Sequence, residues 1–254
     1  MRGLPVLRDL CRASLALYDE LVRTENLTFH FERRGTLYVN STDAGFEKTK
    51  READLLGEHG FEYKILTGPE TCEMEPTVLE TVRGAAYYSE DAHGDSYLFV
   101  TGLGRLLPGL GVAVHTDTCV SGLVVNGQNQ IAVTTNRGEF KAKNLVIAAG
   151  SWVPELARLL RVNIPIQPGK GYSVTVDRSE CSLKIPLVHP ERKVIITPIG
   201  DRLRFAGTME FAGMDLSLNG TRLEAALRGG KQILRPPSEL RNVERWCGVA
   251  SMHA

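Results

Sequence analysis

The stretch with the clearest chemical potential runs Lys141-Ala-Lys-Asn-Leu-Val-Ile-Ala-Ala-Gly-Ser-Trp-Val-Pro154. Leu145–Ala149 is a short, unbroken apolar run, the pattern of a strand buried on both faces. Gly150 ends it without steric cost, Ser151 offers a capping hydroxyl, and Pro154 and Glu155 suit a first helical turn. A strand that halts at glycine and turns into a helix aims backbone N–H groups beyond the sheet edge, where ligands of open α/β sheets bind. The same pattern also suits an ordinary βα unit. His93, in the polar loop Asp91-Ala-His-Gly-Asp95, reads either as a base or as a loop-capping side chain. Lys48-Thr-Lys-Arg51 and Arg241–Arg245 read as solvated faces.

These residues need elements to carry them. Leu7, Leu10, Ser14, Leu17 and Leu21 recur at helical steps, predicting a helix to about Thr24. A strand over Thr36–Asn40 precedes a helix capped from Ser41, Thr42 or Asp43 and closed near Gly60. Tyr63–Leu66 reads as a strand, and Thr67-Gly-Pro-Glu70 as a capping box for a short helix. Val82–Tyr88 predicts a strand, and Ser96–Leu107 a helix weakened by Gly102 and Gly104. A β-run follows: Val112–Thr116, Cys119–Val125, a turn at Asn126-Gly127, Ile131–Thr135, a turn at 136–138, and Glu139–Lys143. After the Leu145–Ala149 strand come a helix over Val153–Leu160 and strands at Ile166–Gln167, Tyr172–Val176, Ile185–Val188, Val194–Thr197 and Leu203–Ala206. A second capping box, Thr221-Arg-Leu-Glu224, predicts the last helix, and the C-terminal residues suggest no settled element.

The chain has 254 residues, with thirty basic and thirty acidic side chains. That balance argues against nucleic acid or an anionic membrane as partner. Five dispersed cysteines, without a CxxC pair or a metal spacing, read as reduced thiols of a cytoplasmic protein. No apolar run approaches the roughly 20 residues a transmembrane helix needs.

Six segments together resemble the FAD-dependent amine oxidoreductases of the D-amino acid oxidase superfamily, in particular the small-subunit type of D-amino acid dehydrogenase. They are Arg34-Gly-Thr-Leu37, Asp91-Ala-His-Gly-Asp95, Thr118-Cys-Val-Ser121, Ala142-Lys-Asn-Leu-Val-Ile-Ala-Ala-Gly-Ser151, Pro168-Gly-Lys-Gly-Tyr-Ser173 and Arg204-Phe-Ala-Gly-Thr-Met-Glu210. The resemblance implies an α+β fold (an α/β remnant), in which a partial FAD/NAD(P)-binding domain is interwoven with an antiparallel-sheet substrate domain. The expected division is 1–91 in the substrate domain, 92–158 in the FAD-binding remnant and 159–254 in the substrate domain again. It implies that the backbone of Val120 meets the adenine of FAD and that Ala149 and Gly150 approach the cofactor. It also places Gly169, Lys170 and Gly171 on the flavin side of the cleft. Tyr172 and Arg204 fall on strands of the substrate sheet, as substrate-binding candidates. No protein nucleophile or metal is needed, because flavin carries the hydride step of an oxidative deamination. The implied partners are a small-molecule amino acid and an electron acceptor or partner subunit. The implied location is cytoplasmic or peripheral to the inner membrane.

The departures are equally specific. The family's strand–GxGxxG–helix cradle for the pyrophosphate is missing, and Gly102-Leu-Gly104 and Gly109-Leu-Gly111 lack its context. The family's Gly-x-Arg-Pro segment is here Gly248-Val-Ala250, without the carboxylate-binding arginine. Isoleucine stands at 195, where some amine oxidases of the superfamily carry tyrosine, which leans away from glycine oxidase-like substrates. The expectation is a chain truncated at both ends that binds FAD poorly or not at all. The alternatives are a stand-alone non-catalytic module, a degraded gene product, or a flavoenzyme relative acting on a secondary amine or 2-hydroxy acid.

Overall fold

The computed structural model describes residues 3–126, 130–178, 181–235, 237 and 239–253. Its first half follows the sequence pattern closely. Helix α1 spans Leu4–Glu25 and ends at left-handed Asn26. Strand β1 is Thr36–Asn40. Helix α2, Asp43–Glu58, is capped by Thr42, whose hydroxyl accepts from the Gly45 N–H. Strand β2 is Lys64–Thr67, and the Thr67–Glu70 capping box opens α3, Gly68–Met74. Strand β3 is Gly84–Tyr88, and Asp95 caps α4, Ser96–Leu106, by accepting from two backbone N–H groups. The predicted strand at Val112–Thr116 does not form. Its alternation matches a strand, but among the described residues no strand pairs with it to supply a ladder for its backbone groups.

Strands β4 (Val120–Asn126), β5 (Gln130–Thr135) and β6 (Gly138–Ala142) make an antiparallel meander. The predicted turn at 126–127 falls partly outside the described residues. The Leu145–Ala149 strand is absent too: the segment is irregular, and Val146 is 86% exposed. A strand buried on both faces needs parallel neighbours, and none lies beside it among the described residues. Helix α5, Val153–Leu159, follows as predicted.

The later strands are β7 (Ile166–Asp177), β8 (Leu187–His189), β9 (Val194–Ile199) and β10 (Arg202–Glu210). Of these, β7, β9 and β10 are longer than their apolar runs, whereas β8 is shorter than the run expected at Ile185–Val188. Helix α6, Gly220–Gly230, is capped by Asn219, whose side chain accepts from the Arg222 N–H. The cap is therefore Asn219, two residues before Thr221, in place of the expected Thr221–Glu224 capping box. The C-terminal stretch, read as unsettled, is the ten-residue strand β11, Glu244–His253.

The strands form an eight-stranded mixed sheet in the order β11-β7-β10-β9-β8-β1-β3-β2 and, separately, the three-stranded meander. By compactness the chain divides into a unit of residues 1–110, 172–208 and 218–246, and a unit of 111–171, 209–217 and 247–254. In the first unit, Leu37, Val39, Ala85, Leu187, Ile196, Leu203 and Phe205 are almost wholly buried. A Cβ on Gly230 would stand 2.6 Å from the Phe205 ring, so glycine lets α6 lie close to β10. In the second unit, Leu123, Val133 and Ala157 are buried, while Val124 and Val125 are more than half exposed. Among the described residues, no helix is long and apolar enough to cross a membrane.

Candidate functional site

The second unit holds an apolar cavity of about 280 Å³. Val120, Leu123 and Val133 of the meander line it, with Leu156 of α5 and the irregular segment 145–149. Two residues singled out from sequence, Val120 and Ala149, therefore meet on one wall. Val120 opens β4 opposite Thr135, just ahead of a bulge between Val120 and Gly122. The hairpin end is pinned by Asn136, whose Oδ1 accepts from the Cys119 N–H at 2.8 Å and whose amide nitrogen donates to the Asp117 carbonyl at 3.1 Å. Gly150 adopts φ +56°, and an added Cβ there would meet only the Ser251 hydroxyl, at 3.6 Å. Glycine is thus set by backbone conformation, and the space beside it is open. Ser151 is 6% exposed, and its hydroxyl is buried without a hydrogen-bond partner among the described residues. An orphaned hydroxyl beside an open glycine and an apolar cavity suits a ligand that brings its own acceptors.

Gly169, Lys170 and Gly171 lie on β7 and divide by environment. A Cβ on Gly169 would press against Met209 Sδ at 2.6 Å and Met252 Cγ at 2.7 Å, so packing within the unit accounts for that glycine. Around Gly171 nothing stands within 4 Å of an added Cβ. Lys170 is 1% exposed, with its ammonium 3.3 Å from Asp215 Oδ2 and 3.9 Å from Glu210 Oε1. Asp215 sits below the usual carboxylate range, first through the backbone N–H and hydroxyl of Ser217 and then through Lys170. The amine thus fastens residues 210–217 to β7.

In the first unit, the two predicted substrate residues part company. Arg204 Nε donates to Thr175 Oγ1 at 3.2 Å, and Arg204 pairs across the ladder with Thr197. Alternation groups Arg204 and Ala206 with Ile195 and Thr197 on a half-open face, where Ile195 is 45% exposed. Tyr172 lies three residues from Thr175 on β7 and so points to the opposite face, where it is 2% exposed.

A family model described as "FAD dependent oxidoreductase" (DAO) matches residues 2–254. The chain belongs to the DAO family. It is 31% identical over 241 residues to the D-amino acid dehydrogenase of Paramagnetospirillum magneticum, covering 93% of this chain and 57% of that relative. To the D-amino acid dehydrogenase of Agrobacterium fabrum it is 30% identical over 233 residues, covering 86% of this chain and 54% of that relative. The chain thus spans about half the length of the curated relatives it matches. Among solved structures, glycine oxidase from Bacillus cereus superposes with a TM-score of 0.87 at 24% identity, over 97% of this chain and 70% of that one. L-proline dehydrogenase from P. horikoshii gives 0.79 at 21%, over 94% and 65%. These structural likenesses establish the fold.

FAD is the cofactor of this family, and the residues present fit part of it. Val120 and Ala149 line one apolar cavity, and Gly150, with open space beside it, and the orphaned Ser151 hydroxyl follow directly in the chain. No pyrophosphate cradle accompanies them among the described residues: Gly102 and Gly104 sit inside α4, and Gly109 lies in the 3-10 turn Leu107–Leu110.

One residue of this DAO-family chain escaped sequence reasoning. Thr208 has φ +42°, a left-handed conformation rare for a β-branched side chain, and its buried hydroxyl lacks a partner among the described residues. Across the hairpin, Lys193 is also left-handed at φ +52°, and its carbonyl accepts from the Thr208 N–H at 3.4 Å. Its place in the segment Arg204–Glu210 was visible, but no residue type announces a strained backbone. Thr208→Gly should stabilise the protein by about 1 kcal/mol by releasing this strain. A thermal scan beside wild type checks it, and a lower midpoint contradicts it.

Proposed function

We propose that this chain is part of an FAD-dependent dehydrogenase that deaminates D-amino acids to 2-oxo acids and ammonia. The observation that carries the reading is the 31% identity to a D-amino acid dehydrogenase across 93% of the chain. FAD would supply, when bound, the hydride-accepting chemistry for oxidation at the substrate α-carbon. The chain's own residues hold and orient. Val120, Ala149, Gly150 and Ser151 form a wall for the nucleotide half, where glycine permits close approach. Arg204, on the half-open face, supplies positive charge beside Ile195 and Thr197, which suits a carboxylate. Lys170 fixes residues 210–217 through Asp215 and Glu210.

Without a pyrophosphate cradle in its sequence, the 254-residue chain should hold FAD weakly rather than as a stoichiometric yellow protein. Fluorescence polarisation with added FAD should show weak, saturable binding. Ala149→Trp, which fills the cavity, should weaken it by about tenfold, the loss of one well-packed contact surface. Binding that ignores Ala149→Trp would remove the cavity from the reading. For the reaction, a dye-reduction assay on a full-length relative carrying the corresponding segments should favour D-amino acids over secondary amines and 2-hydroxy acids. Preference for either of the latter would redirect the substrate while leaving the family intact.

A further inference from the structure

Within the first unit, β10 carries two arginines with different surroundings. Arg202 and Arg204 are two residues apart, so alternation sends both side chains to the same face of the sheet. The charge of Arg202 is balanced: its Nε lies 3.5 Å from Asp177 Oδ1 and its Nη2 4.0 Å from Glu244 Oε2. The same Nη2 donates to the Asn242 carbonyl at 2.7 Å and to the Thr175 carbonyl at 3.3 Å. Arg204 is half-buried and forms no ion pair among the described residues. Its Nε donates to Thr175 Oγ1 at 3.2 Å, and among the described residues its two Nη groups make no hydrogen bond. A half-buried charge without a counter-ion is costly until an anion joins it. Ile195, on this face, is 45% exposed, so a small molecule can reach it.

We propose that Thr175 is a positioning residue, which fixes the Arg204 guanidinium so that its two Nη groups bind one carboxylate bidentately. This rests on the reading of Arg204 as the partner of the substrate carboxylate and adds the residue that orients it. Thr175 is 5% exposed, and a β-branched side chain on a strand has restricted χ1 rotation, so its hydroxyl is a fixed point. A guanidinium is planar, with five N–H donors in a rigid fork. Once Nε is held by the hydroxyl, the paired Nη groups keep one orientation, and their spacing matches the two oxygens of a carboxylate. Arg202 cannot take this part, because Asp177 and Glu244 already balance its charge.

The test is titration of the purified 254-residue chain, without FAD, with isobutyrate replacing chloride at constant ionic strength, and with the uncharged isostere isobutyramide. Heteronuclear NMR of the arginine Nε–H signals supplies the readout, with the Arg204 signal assigned by its loss in Arg204→Leu. Isobutyrate should bind saturably and shift that signal, and isobutyramide should leave it unmoved. Thr175→Val should weaken isobutyrate binding about tenfold, whereas Thr175→Ser, which keeps the hydroxyl, should stay within about twofold of wild type. Isobutyrate binding that survives Arg204→Leu overturns the carboxylate reading of Arg204, and the positioning role with it. Binding that needs Arg204 but is unchanged in Thr175→Val leaves that reading standing and overturns the positioning role alone. Equal losses in Thr175→Ser and Thr175→Val also overturn it, because packing and not the hydroxyl would then matter. Should Thr175→Val not fold, proton exchange at Arg204 Nε of wild type decides: exchange as fast as at an exposed arginine overturns the proposal.

Discussion

Replacing Glu191 with alanine should destabilise the protein by about 3 kcal/mol, because one carboxylate gathers the backbone and hydroxyl donors of Ser41 and Thr42, remote in the chain, beside the buried His189. Glu191 Oε2 accepts from the Ser41 N–H and hydroxyl, both at 2.8 Å, and lies 3.0 Å from His189 Nε2. Its Oε1 accepts from the Thr42 N–H at 3.1 Å and from the Thr42 hydroxyl. His189 is wholly buried, and its Nδ1 carries a hydrogen, since it lies 3.0 Å from the Gly229 carbonyl, which can only accept. The cluster therefore ties the N-terminus of α2 to the β8–β9 hairpin and the end of α6. The anion also sits where a helix N-terminus favours negative charge. Removing it strands several inward-facing donors at once. The urea midpoint of the variant beside wild type measures the loss, and a shift within error contradicts the assignment.

The same carboxylate predicts a pH dependence. Burial pushes its pKa up, but the hydrogen bonds from Thr42, Ser41 and His189 outweigh burial and hold it at about 2, below the usual carboxylate range. A folded-state pKa below the unfolded one gives stability that is complete above the unfolded value and fades as pH falls toward the folded one. Wild type should thus lose this contribution between about pH 5 and pH 2. Glu191→Ala should show a flatter decline over that window. Parallel curves would contradict it.

Gly35→Ala should cost about 3 kcal/mol, from overpacking together with a backbone angle that L-residues resist. Gly35 has φ +70°, and an added Cβ would stand 2.5 Å from Tyr87 Cε2 and 2.6 Å from the Tyr88 carbonyl. The ring could swing aside, but the carbonyl belongs to β3, which pairs with β1 from Thr36↔Tyr88 to Asn40↔Gly84. Relief would require the first pair of that ladder to part. Limited proteolysis should then cut near residues 33–36, and wild-type resistance would show that the turn adapts.

Local chemistry was legible in the sequence. Thr42, and Thr67 with Glu70, each cap a helix, because capping needs only a short polar side chain beside free N–H groups. Strand β1 and the meander were readable from alternation and turn residues, and the six ordered segments identified the DAO family. What depends on a partner was not legible. Leu145–Ala149 has the composition of a buried strand, yet strand geometry requires neighbours to complete its hydrogen bonds, and composition does not specify them. The same reason explains the missing strand at Val112–Thr116 and the unforeseen β11, whose backbone joins the edge of the sheet beside β7. Only tertiary structure placed Ala149 beside Val120, turned Tyr172 and Arg204 to opposite faces, and bent Thr208 into a left-handed conformation. Spacing along a chain records the neighbours of each residue in sequence, whereas burial, facing and strain arise from residues that meet only once the chain has folded.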